Sequence, residues 1–167
     1  MSTEDFYSTA ALIARYPELK EFFEYSDRYH KESDLGMVIA VCKYLEELLR
    51  RILQVAPDAE DRKRAGEVGF GRKIKTVTRA GLITKEEARE VDLLRSVRNR
   101  FAHEMHASFT DDDIREWCEK LVYSVKEYEG RPVSLMGQFR SSADSLIVSL
   151  NGRPDEVQSG RWFSRSA

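Results

Sequence analysis

The sequence predicts an all-α protein, and three observations carry that prediction. Apolar residues recur at three- and four-residue spacing in several long segments, helix-boundary chemistry stands at their ends, and no two alternating apolar runs are joined by a hairpin signal. With 167 residues, 41% of them hydrophobic, and only nine Gly and four Pro, the chain can bury one sizeable core. The expected organisation is a single helical bundle over residues 1–130, then a further helix and a flexible tail over residues 131–167.

Taken in order, "TAALIARYPELKEFFEYSDRYH" reads as helical pieces broken at Tyr16, because Pro17 removes a helical hydrogen bond and clashes with the preceding turn. "SDLGMVIAVCKYLEELLRRILQV" places Val38, Val41, Leu45, Leu48, Leu49 and Ile52 on one face, the pattern of a central core helix. "APDAEDRKRAGEVG" combines turn formers and charge without periodicity and predicts a solvated connection. In "FGRKIKTVTRAGLITKEEAREVD", Gly81 suits the left-handed residue after a helix and Thr84 with Glu87 forms a capping box, giving a tight corner.

The next helix is expected from Lys85 to about Glu104. Thr110 then caps another, with Phe109 stapled onto Ile114 and Asp111, Asp112 and Asp113 favourably placed in its first turn. "DDDIREWCEKLVYSVKEYEG" puts Ile114, Trp117, Cys118, Leu121, Val122 and Val125 on one face of that helix, which Gly130–Pro132 ends. "VSLMGQFRSSADSLIVSLNG" is a last helix weakened by its serines and Gly137, and "RPDEVQSGRWFSRSA" reads as a tail.

Net charge is −2 and the isoelectric point about 6.0, which argues against a surface built throughout to grip polyanions. No apolar stretch reaches the ~20 residues of a membrane span, and "MSTEDFYSTA" lacks the blocks of a signal peptide, so a cytoplasmic protein without membrane contact is expected. Cys42 and Cys118 lie in apolar helical patterns and predict buried, reduced thiols. No cofactor is expected.

The segment "RSVRNRFAHEMH", residues 95–106, carries polar chemistry on a helix that otherwise packs. At 100° per residue Val91, Leu94, Phe101, Ala102 and Met105 share a face with Arg98 among them. A guanidinium keeps its charge at neutral pH, so burying it demands a carboxylate, carbonyls, a second chain or a bound anion. Asn99 and His103, four apart, adjoin it, and Arg95 and His106 flank the strip, a set suited to binding a phosphate or carboxylate. The alternative is architectural: Arg98 ties the helix to a neighbouring acid, and His103 caps carbonyls at its end. His103 and His106 lack a third partner for a metal. A second candidate is the basic cluster Arg62, Lys63, Arg64, Arg72, Lys73, Lys75 and Arg79, either a nucleic-acid patch or a solvated face.

The stretch "RKIKTVTRAGLITKEEAREVDLLRSVRNRFAHEMHASFTDDDIREWCEKL" resembles the mannitol operon repressor family, most densely over residues 70–121, with the family-like core over about residues 33–128. That family is similar in turn to the HEPN superfamily, so the resemblance implies a HEPN-like bundle of about five to seven helices. HEPN nucleases carry an arginine, a polar residue, three variable positions and a histidine, which Arg98, Asn99 and His103 match. The resemblance implies, for an enzyme, metal-independent RNA cleavage at a dimer interface, with His103 taking the 2′-hydroxyl proton, Arg98 stabilising phosphate charge and Asn99 holding the imidazole. Met105 stands where some of these nucleases have tyrosine.

Two functions follow as expectations. The first is a regulatory interaction protein of the mannitol-repressor type, homodimeric, acting on transcription indirectly through a protein partner. The alternative is the HEPN-type endoribonuclease, with RNA as its partner. Direct sequence-specific DNA binding is disfavoured, because Glu86, Glu87, Glu90 and Asp92 open the would-be recognition helix.

Overall fold

The computed structural model describes residues 9–29, 33–66 and 69–162, and it is an all-α bundle. Helix α1 (Thr9–Arg15) ends at Tyr16, a 3₁₀ turn (Pro17–Leu19) follows, and α2 (Lys20–Tyr29) continues from it, so the proline break falls where the sequence puts it. Helix α3 (Asp34–Gln54) starts at Ser33, whose hydroxyl accepts the Gly36 N–H, and buries Val38, Leu45, Leu48, Leu49 and Ile52. Its Cys42 is buried, and that burial pushes the thiol up to about 12 against the opposing charge of Arg98. Burial likewise pushes Cys118 up to about 11, so both cysteines stay neutral thiols.

The expected solvated connection contains a helix instead, α4 (Ala59–Arg64). Asp58 caps it by accepting the N–H groups of Glu60 and Asp61, and buried Asp61 pairs with Arg79 on the next helix. A six-residue helix fixed by its cap and one ion pair leaves no apolar period in the sequence. Helix α5 (Phe70–Arg79) and α6 (Lys85–His103) meet at the predicted corner, with Gly81 at φ 68° and both hydrogen bonds of the Thr84–Glu87 capping box formed.

Helix α7 (Asp112–Glu119) departs from expectation at both ends. Its N-cap is Asp111 rather than Thr110, and the helix stops well before Val125, leaving Val122 and Val125 exposed. The stop has a long-range cause: the buried Glu90 carboxylate of α6 accepts the N–H groups of Val122 and Tyr123, while Lys126 Nζ donates to the carbonyls of Cys118 and Glu119. The chain ends freed by leaving the helix are thereby satisfied. A short antiparallel pair, β1 (Glu127–Tyr128) and β2 (Arg131–Pro132), follows around Glu129 and Gly130, both at positive φ. Two residues per strand are too few for alternation to reveal.

Helix α8 (Leu135–Asn151) is capped by Ser134 and buries Phe139, Ala143, Leu146, Ile147 and Leu150. Its serines, unpromising in a helix, are partners of α6: Ser142 donates to Glu90 (2.7 Å) and Ser149 to Glu87 (2.6 Å). The expected tail also forms structure, α9 (Arg153–Gln158), with Arg153, Val157 and Trp162 buried; residues 163–167 lie outside the described residues. Helices α3, α6 and α8 form the centre, with α5, α7 and α9 packed around them. Among the described residues no helix is long and apolar enough to cross a membrane.

Candidate functional site: a cationic groove beside an arginine–histidine strip

Helix α6 presents two polar regions. Its core face is Val91, Leu94, Val97 and Phe101, and Arg98 sits half-buried at the border of that face. Arg98 Nη1 donates to Asn99 Oδ1 at 3.1 Å, and among the described residues no carboxylate lies within ion-pair distance of its guanidinium. The tie to an acidic neighbour, allowed for Arg98, is made by Arg100 instead, whose guanidinium reaches Glu104 (3.2 Å) and Asp113 (3.2 Å) and so fastens α6 to α7.

Two residues assigned to the apolar face are not there. Ala102 is exposed, being about 100° round the helix from Phe101, and Met105 is 93% exposed because the helix ends at His103 and Glu104 is extended. His103 is exposed on the last turn, and His106 lies beyond it, also exposed. Asn99 Oδ1 is occupied by Arg98, and no hydrogen bond joins Asn99 to His103.

Arg95 leaves the strip. It pairs with Asp92 (Nε to Oδ1, 2.9 Å), and its guanidinium lies flat beside Gly71 of α5, where a Cβ would come within 3.6 Å of it. There it joins a groove of about 1020 Å³ between α5 and α6. Arg72, Lys75 and Arg79 line this groove from α5, and Arg89 and Arg95 from α6, over apolar ground supplied by Phe70, Ile74 and Ala88; among the described residues Asp92 is its single carboxylate.

The structure therefore redistributes the sequence candidates. Arg95, Arg72, Lys75 and Arg79 come together, whereas Arg98, Asn99 and His103 on the far part of α6, and His106 beyond its end, stay outside the groove. Lys73 leaves the predicted basic patch: it is buried on the other side of α5, bonded to Glu46 at 2.9 Å. Arg62 is likewise committed elsewhere, donating to the carbonyls of Ala56 and Pro57. Arg89 was missed by sequence reasoning; its signal was the spacing Arg89, Asp92, Arg95, one face of α6, opposite the α5 cations once the Gly81 corner folds the two helices together.

Arg72, Lys75 and Arg89 make no ion pair with a described residue. Among the described residues that line the groove, five cations stand against one carboxylate, in a chain of net charge −2. Fold and site thus define an all-α bundle with a cationic groove and a separate, partly exposed polar strip on one helix. No family model, curated protein or solved structure matches the chain.

Proposed function

We propose that this chain is a regulatory interaction protein of the mannitol operon repressor type, dimeric and acting on transcription indirectly through protein contacts. The single observation that carries this reading over catalysis is the state of the strip: Asn99 is engaged by Arg98 rather than by the imidazole it would have to orient, and His103 stands exposed on the helix end. Its resemblance to that repressor family over residues 70–121 supports the same reading. Direct DNA readout finds no support, because Glu87 and Glu90 at the start of α6 are engaged inside the bundle and that helix is a central packing element rather than a projecting one.

One observation favours the endoribonuclease as second reading: among the described residues Arg98 has no carboxylate partner, which suits its guanidinium to a phosphate supplied from outside. The two separate in one experiment. Labelled single-stranded RNA is incubated in EDTA with the wild type, His103→Ala and Arg98→Ala; the interaction reading expects the same background from all three. Cleavage by the wild type that both variants lose transfers the function to the nuclease. In parallel, a photo-crosslinking residue at Ala102, in the producing cell, is expected to give discrete protein adducts, and sedimentation is expected to give twice the chain mass; RNA adducts alone or a single-chain mass reject the reading.

A further inference from the structure

We propose that the groove between α5 and α6 is a binding site for a short oligophosphate, such as the phosphate chain of a nucleotide. This site is distinct from the Arg98–His103 strip and does not depend on the function proposed for it.

Three properties of the groove point to that chemistry. The first is uncommitted charge: Arg72, Lys75 and Arg89 converge there and make no ion pair with a described residue, and cations gathered in a cleft with apolar walls raise the local concentration of anions. The second is geometry. Arg72, Lys75 and Arg79 follow one another on one face of α5, spanning ~10 Å at 1.5 Å per residue, so they meet a row of negative groups rather than one. Arg89 and Arg95 face them from α6, and Arg95 is held flat beside Gly71 with its Nε and Nη2 on Asp92.

The third is that the cationic patch is bounded. The lone carboxylate, Asp92, already belongs to Arg95, and Asp61 belongs to Arg79 at the corner end, where Glu86 is also exposed. A long nucleic-acid strand needs a continuing track of cations, whereas the cations that line this groove from α5 span about two helical turns on a chain of net negative charge. At about 1020 Å³ the groove is of ligand size, and Phe70 and Ile74 offer apolar ground for a base or other organic moiety beside the phosphates.

The test is calorimetric titration of the full chain with inorganic triphosphate and, separately, ATP, at about 0.15 M salt. One triphosphate per chain is expected, with about tenfold weaker binding in each of Lys75→Glu and Arg89→Glu. Both residues are exposed, so charge reversal leaves the bundle standing, and circular dichroism checks this. Arg131→Glu, the same charge change on the distant β2 strand, is expected to bind as the wild type does. ATP matching triphosphate assigns recognition to the phosphates alone, and ATP binding tighter adds the apolar ground; both support the site. No binding at about millimolar triphosphate, equal weakening by Arg131→Glu, or a single-stranded oligonucleotide binding far more tightly than triphosphate overturns it.

Discussion

The two ends of α6 carry similar residues in opposite states. Near its start, Glu87 and Glu90 are buried and every oxygen is used: Glu87 takes the Thr84 N–H, Ser149 and the fork of Arg153, and Glu90 takes Ser142 and two backbone N–H groups. Near its end, Arg98 and Asn99, both half-buried, share one hydrogen bond with each other, and His103 is exposed. Polar groups on a core helix thus serve two purposes in one molecule. Where α8 and α9 cover the helix they are mortar, and at its other end, among the described residues, Arg98 and Asn99 stay partly exposed and His103 exposed.

The sharpest way to break this contrast is Arg153→Ala. The side chains of Arg153 and Glu87 are 4% and 5% exposed, so the variant leaves a buried carboxylate without its cation and is expected to lose about 3–5 kcal/mol in urea unfolding. Acidification probes the same pair. Burial works to raise the Glu87 pKa, but hydrogen bonds from Arg153, Ser149 and Thr84 outweigh it and hold the carboxyl below its ordinary value. A carboxyl depressed in the folded state contributes stability above its unfolded pKa, ~4.3, and loses it as pH falls through the folded value. The wild-type urea midpoint should therefore drop below about pH 4, and drop less in Glu87→Gln.

Smaller effects sharpen the comparison. Trp162 Nε1 donates to the Gly81 carbonyl at 2.6 Å and its ring lies 3.6 Å from the Arg153 guanidinium carbon, so Trp162→Phe is expected to cost about 1 kcal/mol by removing the hydrogen bond while keeping an aromatic face. Arg98→Ala should move stability least, by no more than about 0.5 kcal/mol in the same assay; a loss of about 2 kcal/mol would make Arg98 as architectural as Arg153 and erase the distinction.

What was legible in the sequence was local. The period of α3, the Pro17 break, the Gly81 corner and the Thr84–Glu87 box are each written within a few residues, and each forms as read. The end of α7 and α9 were not legible, because Glu90 and Arg153 set them across separations of 32 and 66 residues, and the β1–β2 pair is too short to show a period. The site follows the same rule. Residue types suited to anions were visible, but their grouping depends on how α5 lies against α6. That packing moves Arg95 to the groove, brings in Arg89 and turns Lys73 inward.

The clasp between Trp162 and Gly81 also sets an order of assembly. Its two halves are 81 residues apart, and the Arg153 contact with Leu82 spans 71. On a ribosome adding ~5–20 residues per second, the corner waits several seconds for its fastener, with Glu87 still lacking its guanidinium. Newly made chains therefore pass through an interval in which the corner has been synthesised but the residues that fasten it have not.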